Sequence, residues 1–155
     1  MRLSTKSRYG LRALFDMAYN AGNLPIQVKE ISRRQNISPR YLEQIFQSFK
    51  KAGILKSKKG PQGGYFLAKR PEEITVQDIV EAAEGDTLLV SCTCKKESDK
   101  PACDFNGQCV TQTVWLEATN LLNDYLSTLT LKTLCERGQA MGLKRESNHK
   151  FMYYI

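Results

Sequence analysis

Cys92, Cys94, Cys103 and Cys109, four of the chain's five cysteines, lie within 18 residues, spaced C-x-C-x8-C-x5-C. Four thiols that close together can surround one metal centre. Thiolates are soft donors that suit iron–sulfur clusters, zinc or copper(I). No C-x2-C pair is present, so the common zinc-knuckle or ribbon spacing is absent. Long, irregular gaps in a polar segment containing Pro and Gly suit a cluster better than a rigid structural zinc. The fifth cysteine, Cys135, sits beside Leu131 and Leu134 and reads as a small buried hydrophobe.

A second set of residues is suited to polyanions. Residues 1–75 hold 15 Lys/Arg against 5 Asp/Glu, a net of +10, whereas residues 76–155 hold 8 against 11, a net of −3. Charge gathered in one half points to a polyanion partner on one side only, against the blander reading of a solvated basic surface. Within that half, Arg40 suits guanine O6/N7, Gln44 suits adenine N6/N7, and Glu43 can accept from the cytosine amine. Glu43 repels phosphate where alignment is poor, so it discriminates more than it adds affinity. Lys58 and Lys59 stand beside the flexible run Gly60, Pro61, Gln62, Gly63, where a lysine can enter the narrow, negative minor groove. Arg2, Lys6 and Arg8 are candidate phosphate contacts, which set register and affinity but not sequence.

These residues need elements to carry them. Apolar spacing predicts a helix over Lys6 to Asn20 with Leu11, Leu14, Phe15 and Ala18 on one face. A second helix is predicted over Val28 to Gln35, with Ile31 inward and Lys29, Arg33 and Arg34 outward. Asn36 and Ile37 turn into a third helix that Ser38 caps and Pro39 opens. Leu42, Ile45, Phe46 and Phe49 form its buried stripe, leaving Arg40, Glu43, Gln44 and Gln47 free. Two helices, a turn and a capped reading helix describe a helix-turn-helix. Ile54 to Lys58 and Tyr65 to Ala68, joined by the Gly/Pro turn, add a hairpin wing. Thr75 and Asp78 open a fourth helix as a capping box.

After the cysteines, Thr111 to about Ser127 forms the longest predicted helix. Trp115, Ala118, Leu122, Tyr125 and Leu129 recur at 3-4-3-4 spacing, the seam of a coiled coil. A single reading module of this size binds weakly. A homodimer would offer two reading helices and two wings to a pseudo-palindromic double-stranded operator. The competing reading packs that stripe on the chain's own core. A short helix follows from Leu131 to about Arg137, capped by Thr130. The organisation is thus a winged helix-turn-helix over 1–84, a cysteine-rich loop over 85–110, dimerisation helices over 111–137 and a flexible tail over 138–155. The fold class is mainly α with a small β-hairpin wing.

The composition, 41% hydrophobic and 25% charged, is that of a folded domain. No apolar run approaches the roughly 20 residues of a membrane span, and Met1 to Leu3 leads straight into a charged helix rather than a signal peptide. The expected setting is the cytoplasm, where clustered cysteines are more often metal ligands or redox groups than disulfides. No P-loop and no Ser/His/Asp set is present, and the single histidine, His149, lies in the tail, so neither an enzyme nor a small-molecule substrate is expected.

Met1 to Tyr9, Ile37 to Gln44, Gly60 to Tyr65 and Cys109 to Trp115 together resemble the IscR/NsrR family of winged-helix bacterial regulators, over residues 1–130. The resemblance implies a dimeric transcription factor whose interface is a long crossed helix. It implies DNA contacts from Glu43 on the reading helix and from the wing around Lys59 to Gly63; Ser38, Arg40, Tyr41 and Gln44, on the same helix, are the further candidate DNA contacts. It further implies an iron–sulfur cluster, 2Fe–2S or else 4Fe–4S, for which Cys103 and Cys109 match the last two cysteine ligands and Cys92 or Cys94 the first. The fourth ligand departs from the family. One branch places a His three residues after the last loop cysteine, where this chain has Gln112. Another uses a carboxylate near the N-terminus, where this chain has Arg8. Two arrangements follow: an all-cysteine site using all four loop cysteines, or three cysteines with an exchangeable fourth ligand. Alternatives on the same fold are a cluster-free repressor controlled by a protein partner or by thiol oxidation, and a loop holding structural zinc.

Overall fold

A computed structural model describes residues 3–93, 105 and 108–146. Six helices and one hairpin follow in order: α1 (Thr5–Asn20), α2 (Val28–Gln35), α3 (Pro39–Lys51), β1 (Leu55–Lys58), β2 (Gly64–Leu67), α4 (Val76–Glu84), α5 (Val110–Thr128) and α6 (Leu131–Ala140). A single 3-10 turn at Pro71–Glu73 precedes α4, and another at Ser91–Thr93 carries Cys92.

The local punctuation written in the sequence is realised. Ser38 Oγ accepts from the Tyr41 amide at 3.2 Å with Pro39 in the first turn of α3. The capping box Thr75/Asp78 is closed in both directions at 3.0 and 2.9 Å. Asn36, the one described non-glycine residue at positive φ, turns the chain from α2 into α3. Leu42, Ile45, Phe46 and Phe49 are all buried, leaving Arg40, Glu43, Gln44 and Gln47 in solvent. Fully burying side chains of this size contributes about 1.5–3 kcal/mol each.

α1 is buried more widely than a one-face stripe predicts. It packs against α2, α3, α4, α6 and β2, so Ala13, Leu14, Met17, Tyr19 and even Asp16 are buried on different sides of the helix. Gly10 permits a close crossing with α3, because a Cβ there would stand 2.5 Å from the Phe49 ring.

The hairpin pairs antiparallel with Leu55 opposite Leu67 and Lys58 opposite Gly64. Ile26 adds one rung on the other side by exchanging two 2.9 Å hydrogen bonds with Tyr65. Gly64 is required at that approach: it sits at φ 152°, and a Cβ would fall 2.3 Å from the Ile26 carbonyl. The wing is therefore fastened to the segment between α1 and α2. A similar rung, Thr75 with Thr130, ties the start of α4 to the α5–α6 junction.

Two expectations are corrected. Arg34, expected outward, is turned inward: its side chain is 5% exposed and forks onto Asp16, itself 1% exposed. A carboxylate buried on α1 must be paired, and α2 supplies the partner. The segment from Gly138, expected to be a flexible tail, is docked through residue 146. α6 continues to Ala140, the Tyr19 hydroxyl donates to the Leu143 carbonyl at 2.6 Å, Arg145 lies over the Tyr19 ring, and Glu146 pairs with Arg33. The backbone amide of Glu146 also donates to Asn20 Oδ1 at 2.8 Å. Residues 147–155 lie outside the described residues.

Candidate functional site

The fold leaves most of the polyanion-suited residues in solvent. Ser38, Arg40, Glu43 and Gln44 on α3 are exposed, as are Lys58, Lys59, Gly60, Pro61 and Gln62 at the wing tip and Lys6 and Arg8 on the first turns of α1. Arg2 lies outside the described residues. Tyr41 is half-buried and meets the Tyr9 ring edge-on at 6.0 Å, so it couples α3 to α1 as well as facing outward. Gly63 is buried in the turn: its amide donates to the Gly60 carbonyl at 2.9 Å, and a Cβ would strike the Lys58 carbonyl at 2.2 Å. Its role is to shape the tip. Gln27 Nε2 steadies the tip from outside through the Pro61 carbonyl at 3.4 Å.

The reading helix and the wing share an electrostatic environment. Burial pushes the Tyr65 phenol up, and the nearby Glu43 carboxylate pushes it further in the same direction. Tyr65 also packs edge-on against Phe46 at 4.9 Å. The Glu43 carboxylate thus acts on the wing root through space, which sequence spacing alone does not reveal. Arg12 was also missed: it lies over the Tyr9 ring at 5.4 Å and hydrogen-bonds the side chain and backbone carbonyl of Gln35, fixing the corner between α1 and α2.

Of the four loop cysteines, Cys92 and Cys109 are described, and both are half-buried free thiols; Cys94 and Cys103 lie outside the described residues. Cys109 is the residue that begins α5. Its sulfur lies 3.1 Å from the Thr111 hydroxyl, and that contact, joined by the backbone amides of Gln112 and Thr111, holds its pKa below the ordinary thiol value. Amides converging on a helix start favour the thiolate. Gln112 stands where a family member can have a ligating His. Here its side-chain amide donates to the Cys92 carbonyl at 2.5 Å. This bond carries the Cys92 turn to the first turn of α5, beside Cys109. Among the described residues no three Cys, His, Asp or Glu side chains form a metal-holding group. Two half-buried thiols on neighbouring segments, one biased toward thiolate, have the chemistry of soft-metal donors. Cys135 is half-buried and its thiol is pushed up by burial, as befits a packing residue.

α5 presents two apolar faces. Thr119, Leu122 and Leu126 turn toward α4, with Thr119 buried. Val110, Val114, Leu121 and Tyr125 form an exposed stripe flanked by Trp115 and Leu116. The expected seam is divided between these faces: Trp115 and Tyr125 are exposed, whereas Ala118, Leu122 and Leu129 are half-buried. No helix among the described residues is long and apolar enough to cross a membrane.

A family profile, Rrf2, described as an iron-dependent transcriptional regulator, matches residues 3–137. The chain is 40% identical over 134 residues to protein rrf2 of Nitratidesulfovibrio vulgaris, covering 86% of this chain and 87% of that one. Among solved structures it is similar to CymR, the global cysteine regulator of B. subtilis, at TM-score 0.70 and 31% identity over 88% of this chain and 98% of that one. It is equally similar to IscR of T. potens, at TM-score 0.70 and 31% identity over 99% and 97% of the two chains. With a capped reading helix, a wing tied to the helical core and relatives that are regulators rather than enzymes, this chain belongs to the Rrf2 family of transcriptional regulators.

Proposed function

We propose that the chain acts in the cytoplasm as a homodimeric regulator whose grip on a pseudo-palindromic operator is modulated by an iron–sulfur cluster, 2Fe–2S or 4Fe–4S, held by Cys92, Cys94, Cys103 and Cys109. The observation that carries this reading is the Gln112 bond, which draws Cys92 to the start of α5 beside a thiolate-biased Cys109. When bound, such a cluster supplies a redox- and nitric-oxide-sensitive centre. The exposed stripe on α5 supports the dimer, since an apolar face of that length needs a partner. Arg40, Glu43 and Gln44 then read base edges, and Lys6, Arg8, Lys58 and Lys59 meet phosphates. A ligand shifts such an equilibrium only by its differential affinity for the DNA-competent and DNA-incompetent states.

The likeness to CymR supports a second reading, in which the loop thiols respond to oxidation or meet a protein partner without any cluster. Anaerobic purification with a visible spectrum, iron and sulfide analysis separates them. A brown protein with matched iron and sulfide, losing its colour on Cys92→Ala or Cys94→Ala, supports a four-thiolate site. A protein that stays colourless after reconstitution refutes the cluster and leaves the thiol, partner or zinc reading, which zinc analysis divides.

A further inference from the structure

Glu84 joins two parts of the molecule that are 80 residues apart. It is the last residue of α4; the next, Gly85, turns at φ 89° into the cysteine segment. Its Oε1 accepts from the Ser4 backbone amide at 3.0 Å and from the hydroxyl of Ser7, which is 2% exposed. Ser4 is itself the cap of α1, its own hydroxyl accepting from the Lys6 amide at 3.1 Å. Lys6 and Arg8 flank Ser7 and are exposed. One carboxylate oxygen thus fixes the end of α1 that carries two basic side chains. On the other side, the segment after Gly85 is tied to α5 by the Leu89 amide donating to the buried Thr119 hydroxyl at 3.4 Å. An open cleft of about 200 Å³ lies at this junction, lined in part by Leu3, Glu84, Thr87, Leu88, Leu122 and Leu126. Space on that side leaves the junction room to shift.

We propose that Glu84 is a positioning residue for DNA binding: it sets the placement of Lys6 and Arg8 on the phosphates and passes changes in the cysteine segment to them. The inference rests on the reading that Lys6 and Arg8 meet DNA, but not on the nature of what the cysteines hold. A chain of packed and hydrogen-bonded groups between two sites is the physical route such coupling requires.

The test is the salt dependence of binding to a mixed-sequence 30-base-pair duplex, read by fluorescence anisotropy. The full chain is compared with Lys6→Ala/Arg8→Ala, Glu84→Ala, Glu84→Gln and Ser7→Ala. Hydrogen exchange over residues 3–9 and 85–93 is followed in parallel. Each phosphate contact contributes about 0.9 to the slope of log K against log salt, so losing Lys6 and Arg8 from both chains of a dimer lowers it by roughly 3.6. Glu84→Ala is expected to lower the slope by half of that or more and to speed exchange in both segments. Glu84→Gln, whose amide oxygen still accepts both hydrogen bonds, restores the wild-type values. Ser7→Ala gives an intermediate slope without leaving a buried hydroxyl unpaired. If Lys6→Ala/Arg8→Ala leaves the slope unchanged, the phosphate reading of those residues is wrong. If that double variant lowers the slope but Glu84→Ala and Ser7→Ala do not, or if Gln fails to rescue, the positioning role is overturned.

Discussion

Removing Asp16 will cost the fold more than any surface change of equal size. The carboxylate accepts from Arg34 Nε at 2.9 and 3.1 Å, from Arg34 Nη2 at 2.7 Å, from Gln35 Nε2 at 3.0 Å and from Asn20 Nδ2 at 3.2 Å. Asp16→Ala strands a guanidinium that is only 5% exposed. Breaking a buried pair in this way costs about 3–5 kcal/mol, chiefly from the charge left behind. Glu30, 3.6 Å from Arg34 Nη1 and one turn away on α2, compensates part of it and places the expected loss near the lower end, about 3 kcal/mol. For a chain of this size that lowers Tm by roughly 6–12 °C. The assay is urea unfolding at one fixed protein concentration, because self-association makes apparent stability concentration-dependent. Asp16→Ala/Arg34→Met removes both charges and should recover at least half of the loss. A loss under about 1 kcal/mol for Asp16→Ala, or a double variant no better than the single, refutes the reasoning that the uncompensated charge sets the cost.

Other changes have equally direct outcomes. Leu121→Arg places a charge in the centre of the exposed α5 stripe and is expected to turn a dimer into a monomer by sedimentation while leaving helix content intact. Gly10→Val drives a side chain into the Phe49 ring and should destabilise the α1–α3 crossing by about 1–3 kcal/mol or more, measured by urea midpoint. Burial pushes the Glu84 carboxyl up, but hydrogen bonds from Ser4 and Ser7 outweigh it, so the folded-state value lies below the ordinary one. Its contribution to stability is therefore present above the ordinary carboxylate range and lost as pH falls through that lowered value. Glu84→Gln is expected to flatten this part of the acid-unfolding profile followed by circular dichroism.

The reading helix was legible because its signals are local: Ser38 and Pro39 adjoin, and four apolar residues recur on one face within a dozen positions. The same holds for Thr75 and Asp78. What escaped the sequence is non-local. Asp16 and Arg34 lie 18 positions apart on different helices, and nothing in either helix's pattern marks them as partners. Residues 138–146 look like a tail since their composition is polar, yet their hydrogen bonds go to α1 and α2 more than 100 positions earlier. The stripe on α5 is ambiguous in the sequence because both faces of the helix are apolar. Spacing joined Trp115 to Leu122, whereas packing on α4 takes Leu122 and leaves Val114 and Leu121 outside. Gln112 was legible as a poor ligand, but its bond to the Cys92 carbonyl depends on a turn 20 residues upstream.

Among the described residues, Arg40, Glu43, Gln44 and Gln47 make no side-chain hydrogen bond, whereas the wing is locked to the helical core through Ile26, Tyr65 and Gly64. Those four positions are consequently free to mutate with little penalty in stability, while the wing root is not. Across a lineage, duplicated copies of such a gene could diverge in target sequence through a few codons on one helix face, with the hairpin's placement inherited unchanged. Shifts in regulon membership would then outpace shifts in architecture, and two paralogues could separate their binding sites while remaining superimposable.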